Sequence, residues 1–119
     1  MIDYREYGGK TVAVVSSRAI SCAGDMLDIM AEVFFSGCDM MTIRKELLPD
    51  GFFSLKTGLA GEILQKFSNY SMRLAIVGDF SNIGSKSLAD FIYECNKGKQ
   101  VFFKNTEEEA IEVLLKASV

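Results

Sequence analysis

The sequence predicts a single α/β domain with a mixed, mostly parallel five-stranded sheet and four helices. Short apolar runs alternate with segments of helical periodicity, which is typical of parallel strands joined by helical crossovers. A Gly8-Gly9 pair between the first two apolar runs indicates a tight turn, and therefore one antiparallel pair of strands. The length of 119 residues supports one core, so we expect a single domain over residues 1–119.

The N-terminal third contains the hairpin and the first helix. Residues 2–6 and 10–16 flank the glycine turn, and the second run, which includes TVAVV, predicts a strand buried on both faces. Apolar residues recur at helical spacing from Ala23 to Phe35, and Gly37 follows as a stop signal.

The rest of the chain repeats the alternation of strand and helix. We expect strands at residues 40–45, 72–77 and 100–103, and a helix after each of them. The apolar stripes of these helices are Leu59, Ile63, Leu64 and Phe67; Leu88, Phe91, Ile92 and Cys95; and Ala110, Ile111, Leu114 and Leu115. Gly98 closes the third helix, and Thr106 with Glu109 forms a capping box before the fourth. The element order is therefore β-β-α-β-α-β-α-β-α.

Composition excludes several classes of function. The chain has no histidine, and Cys22, Cys38 and Cys95 form no CxxC pair, which removes the common zinc ligand sets and the histidine-dependent catalytic triads. A net charge of −3 argues against nucleic-acid binding. We see no signal peptide or membrane span and expect a cytoplasmic protein with no catalytic residues, metal, cofactor, nucleic-acid partner or membrane contact.

Two motifs that look catalytic do not meet the requirements of their classes. Residues 78–87, GDFSNIGSKS, resemble a phosphate-binding loop, but five residues separate the glycines and Ser85 comes between the second glycine and the lysine. The triplet Lys56-Thr57-Gly58 occurs in penicillin-recognising enzymes, but their S-x-x-K motif is missing from this sequence. We therefore expect neither an NTPase nor such an enzyme.

Sites in sheets of this kind cluster where the parallel strands end. Here that edge comprises residues 16–18, 45–48, 78–80 and 104–106. Asp79 and Glu46 would face each other there as an acid and a base, although a loop cap for Asp79 and a solvated Glu46 are the more common arrangement.

Four stretches of the sequence resemble a known family. They are LKTGLAGEILQKFSNY, LAIVGDF, SKSLADFIYECNKG and VFF, and they resemble the uncharacterised bacterial family called domain of unknown function 4180. The resemblance extends over roughly residues 10–116 and implies no particular activity.

The order of elements is also similar to STAS domains, the fold of anti-sigma-factor antagonists, in which a loop before a helix presents a phosphorylatable hydroxyl to a kinase. The matching turn reads Leu55-Lys56-Thr57-Gly58-Leu59, and Thr57 takes the phosphorylated position. Lys56 and Leu55 depart from the pattern, which has a small hydroxyl residue and an acid there. The simpler interpretation of Thr57 is an N-cap or first-turn residue of the second helix.

Two hypotheses for function follow. The first is a STAS-like regulatory module, not an enzyme, that binds an unidentified protein through Ser54, Lys56, Thr57, Gly58 and the helix after them. The alternative is a small-molecule-binding or enzymatic domain in which Asp79, Ser81 and Lys86 contact an anionic ligand. A homodimer is plausible, because mean hydropathy is +0.17 and phenylalanine pairs occur at residues 34–35, 52–53 and 102–103.

Overall fold

The computed structural model describes residues 2–17, 19–54, 58–81 and 84–118. The strands are β1 (Ile2–Tyr7), β2 (Lys10–Val15), β3 (Met40–Arg44), β4 (Arg73–Val77) and β5 (Val101–Lys104). The helices are α1 (Ala23–Phe35), α2 (Leu59–Asn69), α3 (Lys86–Lys97) and α4 (Glu107–Ala117), with short 3-10 turns at Lys45–Leu47 and Asp50–Phe53. This confirms the predicted element order and fold class.

The five strands form one sheet in the order β1-β2-β3-β4-β5. The β1–β2 pair is antiparallel and the other three pairs are parallel. Gly8 and Gly9 join β1 to β2 with φ values of +56° and +86°, the two left-handed conformations that a type I′ hairpin turn requires. The glycine pair therefore sets the register of the hairpin, in which Tyr7 pairs with Lys10.

The strand order explains how the helices are distributed. Because strands β2 to β5 follow one another in space as they do in the chain, successive right-handed crossovers place their helices on the same face of the sheet. Helices α1, α2 and α3 pack together against one face, where Met26, Ile63 and Phe67 are fully buried. Helix α4 follows the last strand and packs Ala110 and Leu114 against the opposite face.

Helix ends follow the predicted signals with one correction. Ser85 Oγ accepts a hydrogen bond from Leu88 N at 3.2 Å, and Thr106 Oγ1 accepts one from Glu109 N at 3.1 Å. The N-cap of α2 is Gly58, in a left-handed conformation with φ of +73°, so the prediction of Thr57 as the N-cap is wrong. Among the described residues, no helix is both long enough and apolar enough to cross a bilayer.

Candidate functional site

The carboxyl ends of the parallel strands meet where the predicted edge lies. Arg44, Val77 and Lys104 are register partners at the ends of β3, β4 and β5. After β4 the chain leads to α3 on one face, and after β5 it leads to α4 on the other. Such a divergence of neighbouring loops is where open α/β sheets form ligand crevices.

An open crevice of about 300 Å³ lies at this divergence on the α4 side of the sheet. It is lined by Arg44, Glu46, Val77, Gly78, Asn105, Thr106 and Glu107. The side chain of Glu107 accepts a hydrogen bond from Arg5 Nη1, which ties β1 to the start of α4. The crevice therefore brings the exposed guanidinium group of Arg44 close to the carboxylates of Glu46 and Glu107.

Lys45 follows β3 at the same edge and is held in place from three sides. Its Nζ donates a hydrogen bond to the backbone oxygen of Asp79 at 2.7 Å. The same ammonium lies 5.3 Å from the ring centroid of Phe80 and 5.9 Å from that of Phe53, within the range of a cation–π interaction. Lys45 thus bridges the loops that follow β3 and β4.

Aromatic rings cover the edge on the α1–α3 side. The ring centroid of Phe80 lies 6.0 Å from that of Phe53 and 5.3 Å from that of Phe103. Phe52 and Phe91 extend this chain at its two ends, with centroid distances of 5.0 Å to Phe53 and 6.3 Å to Phe103. The five rings therefore form one continuous aromatic cluster at this side of the edge.

Asp79 is engaged in its own loop. Its Oδ1 accepts hydrogen bonds from the backbone N of Ser81 at 2.9 Å and from Ser81 Oγ at 2.6 Å. These bonds, with a smaller contribution from the charge of Lys45, lower the pKa of Asp79. A carboxyl group that ionises more readily than usual is poorly suited to act as a general acid near neutral pH.

The other predicted site residues lie in local structure. Lys86, in the first turn of α3, forms an exposed ion pair with Asp90, Nζ to Oδ2, at 2.9 Å. Exposed Ser54 donates its backbone N–H to Gly51 O and closes the second 3-10 turn. Gly58 O accepts a hydrogen bond from Glu62 N at the start of α2. Thr57 and Lys56 lie outside the described residues.

A second concave surface lies on the helical face, between the end of α1 and the end of α2. We call it the α1–α2 groove, and it has a volume of about 220 Å³. It is lined by Leu27, Met30, Ala31, Phe34, Phe35, Tyr70 and Met72, none of them charged. Phe35 is 85% exposed, and Phe34 and Tyr70 are 54% and 55% exposed.

A row of carboxylates runs beside this groove. Leu27, Ala31 and Phe35 recur every four residues along α1, and Asp28 and Glu32 each follow a member of that stripe, about 100° further round the helix. Both acidic side chains belong to exposed residues. Helix α1 contains no basic residue, so its outer surface is apolar on one side and negative on the other.

The described residues do not assemble a metal centre: no three Cys, Asp or Glu side chains among them lie close enough to hold an ion. The arrangement offers several concave surfaces, among them the open crevice at the divergence of the loops and the α1–α2 groove.

Comparison with known families gives a match that covers most of the chain. The family described as Domain of unknown function (DUF4180) matches residues 7–114. The chain belongs to the DUF4180 family. This confirms the resemblance seen in the sequence. The comparisons with curated proteins and with solved structures found no match.

The similarity to STAS domains rests on the order of elements alone, and no match supports it further.

The sequence of this DUF4180 domain did not predict two parts of its candidate sites. No sequence motif marks Lys45, because its partners at residues 53, 79 and 80 are brought next to it only in the folded chain. The stripe of Leu27, Ala31 and Phe35 was present in the sequence as a four-residue repeat on a second side of α1.

Proposed function

We propose that this DUF4180 domain is a protein-interaction domain, not an enzyme, and that its α1–α2 groove binds an amphipathic helix of a partner protein. The observation that carries the proposal is the exposure of Phe35, 85% accessible beside Phe34 and Tyr70 in an apolar groove. Contiguous exposed apolar side chains of this kind mark interaction sites on soluble domains.

The energetics favour binding there. Complete burial of one phenylalanine side chain is worth roughly 1.5–3 kcal/mol. Three aromatic side chains in one groove therefore form a candidate hot spot, since aromatic anchors supply much of the affinity at interfaces. Met30 and Met72 line the groove as well, but both are almost completely buried, so the contact surface is supplied mainly by the exposed aromatic side chains. Grooves of this kind accept the apolar face of a helix.

Charge selects the class of partner helix. Asp28 and Glu32 form an exposed negative row beside the apolar stripe, and the sequence of α1 contains no basic residue. A helix with lysine or arginine residues flanking its apolar face would match both features at once. We therefore propose a basic amphipathic helix as the occupant.

The test uses a synthetic amphipathic helix of leucine and lysine with a fluorescent label, and its counterpart in which glutamate replaces lysine. We expect the basic peptide to bind and the acidic peptide to bind at least about tenfold more weakly. Phe35→Ser should weaken binding of the basic peptide by about tenfold or more, since it removes the most exposed anchor. Tyr93→Ser is the matched control, because Tyr93 is 62% exposed on α3 and does not line the groove.

A charge reversal separates specific binding from general attraction to an acidic protein. Asp28→Lys with Glu32→Lys should reverse the preference, so that the acidic peptide binds better. Glu108→Lys with Glu112→Lys makes the same change in net charge at two exposed positions of α4, also four residues apart. Equal effects of the two double variants, or equal effects of the Phe35 and Tyr93 variants, would overturn the proposal.

The prediction that the Thr57 loop takes part in docking is a separate proposal. Residues 55–57 precede α2, whereas Tyr70, which lines the groove, caps the other end of that helix. Thr57→Glu should therefore leave affinity for the basic peptide unchanged and weaken only a partner that contacts the loop as well. If Thr57→Glu weakens binding of the basic peptide as much as Phe35→Ser does, the loop and the groove form one site.

A second candidate function is binding of a small anion in the crevice beside Arg44. The divergence of the loops after β4 and β5 favours it, and the crevice is on the α4 side rather than around Asp79 and Lys86. In a thermal-shift series, nucleotides or organic carboxylates that bind the crevice should raise the thermal unfolding midpoint of the wild type but not that of Arg44→Ala. Shifts that are equal in the two proteins would exclude this crevice as the site.

A further inference from the structure

Strand β1 lies at one edge of the sheet, and its only neighbour among the described strands is β2. The type I′ turn joins Tyr7 to Lys10, so these two residues form a hydrogen-bonded pair. In an antiparallel ladder, hydrogen-bonded pairs alternate with pairs that are not. Arg5 and Asp3 therefore direct their backbone groups toward β2.

The residues between them direct their backbone groups to the free edge. These are Ile2, Tyr4 and Glu6, which face Val15, Ala13 and Thr11 in the register as non-hydrogen-bonded pairs. Their N–H and C=O groups form a row ready to pair with another strand. β1 thus offers a five-residue template along residues 2–6.

The side chains of Asp3 and Arg5 lie together on the α4 face of this strand. Asp3 Oδ2 accepts a hydrogen bond from Arg5 Nε at 2.9 Å, and Arg5 also reaches Glu107. Both side chains are substantially exposed, 61% for Asp3 and 40% for Arg5. The edge therefore carries one negative and one positive charge, two residues apart, on the same face.

We propose that two copies of this chain pair through β1, antiparallel and centred on Tyr4, to form a continuous ten-stranded sheet. In this register Tyr4 lies opposite Tyr4 of the second copy, and Ile2 lies opposite Glu6. Asp3 then lies opposite Arg5 of the second copy, and Arg5 lies opposite Asp3. The four side chains alternate in sign around the two-fold axis, which is a self-complementary arrangement.

Charge selects this register over its neighbours. Hydrogen bonding between the free edges requires even-numbered residues to face each other, so the nearest alternatives are shifted by two residues. One alternative places Asp3 opposite Asp3 of the second copy, and the other places Arg5 opposite Arg5. Like charges directly opposite each other are unfavourable, so the register centred on Tyr4 is the one that matches charge and has the longest overlap.

The test is sedimentation equilibrium over a range of protein concentrations, with the thermal midpoint as a check of folding. We expect wild-type protein to dimerise, and Asp3→Arg and Arg5→Asp each to weaken the dimer by about tenfold or more, because each places like charges opposite each other. An equimolar mixture of the two variants should dimerise again, because the chain with two arginines then meets the chain with two aspartates. Glu112→Lys and Lys116→Glu, each made alone at an exposed ion pair of α4, are the matched controls and should leave the dimer affinity unchanged.

Glu6→Pro supplies a second measurement that does not depend on charge. Glu6 is exposed and directs its N–H to the free edge, so proline there removes an edge donor without removing a bond to β2. A folded Glu6→Pro protein should be monomeric. The proposal is overturned if wild-type protein stays monomeric up to about 1 mM, if folded Glu6→Pro dimerises normally, or if the mixed variants dimerise no better than either alone. Loss of the dimer in Phe35→Ser with retention in Glu6→Pro would assign self-association to the α1–α2 groove instead.

Discussion

Gly78 lies in direct contact with the side chain of Lys45. An ideal Cβ at Gly78 would lie 2.6 Å from Cβ of Lys45 and 2.8 Å from its Cδ, closer than real Cβ atoms approach. One of these contacts is with Cβ, which cannot move away without the backbone. The absence of a side chain at residue 78 is therefore what allows Lys45 to cross the end of β4 and reach Asp79 O.

Replacing Gly78 with alanine should destabilise the domain. Forcing a methyl group into this contact should lower the free energy of unfolding by about 1–3 kcal/mol, as measured by urea titration. Gly61→Ala is the matched control, because Gly61 lies within α2 and a Cβ there meets no neighbouring atom. That substitution should stabilise the protein by about 0.5–1 kcal/mol. Similar unfolding midpoints for the two variants would contradict the assigned contact.

The contact between Gly78 and Lys45 also illustrates what sequence can and cannot predict here. The glycine pair at residues 8–9 predicted the hairpin, because two left-handed residues in a row are a local requirement. Gly78 looked like part of a phosphate loop, whereas its role depends on the register between β3 and β4, which no local pattern records. The stripe of Leu27, Ala31 and Phe35 was visible in the sequence, but its exposure depends on how α2 packs against α1.

Lys45 and Phe80 should contribute to stability jointly. The ammonium lies 5.3 Å from the ring centroid, so replacing either partner removes the same cation–π interaction. A double-mutant cycle with Lys45→Met and Phe80→Leu should give a coupling free energy of about 0.5–1 kcal/mol. Urea unfolding of the four proteins measures it.

A control cycle uses Lys45→Met with Phe91→Leu. Phe91 belongs to the same aromatic chain, through Phe103, but has no described contact with the ammonium. Its coupling should be close to zero. Equal coupling in the two cycles would mean that Lys45 acts through general packing and not through the ring of Phe80.

Asp79 and Ser81 should make stability depend on pH in a defined direction. Because hydrogen bonds from Ser81 lower the pKa of Asp79 in the folded state, the ionised carboxylate stabilises the fold above its unfolded pKa. That contribution is lost as the pH falls through the lower folded pKa. Ser81→Ala should therefore be less stable than wild type at pH 7, and the difference should shrink below about pH 4. Ser87→Ala, exposed on α3, should show a difference that does not change over this range.

The three cysteines should react with thiol reagents at different rates in the folded protein. Cys22 is exposed at the start of α1, whereas Cys38 is only 4% exposed and its Sγ lies 3.0 Å from Thr11 O. Burial raises the pKa of Cys38, and burial together with the charge of Glu94 raises that of Cys95, so both thiols form less of the reactive thiolate. We expect one fast phase of alkylation under native conditions, and Cys22→Ser should remove it.

Cys38 should react only as fast as the domain opens, so its rate should rise with urea. Labelling of Cys38 at the rate of Cys22 in the absence of urea, read by mass spectrometry of the separated peptides, would contradict the burial of Cys38 in the segment between α1 and β3.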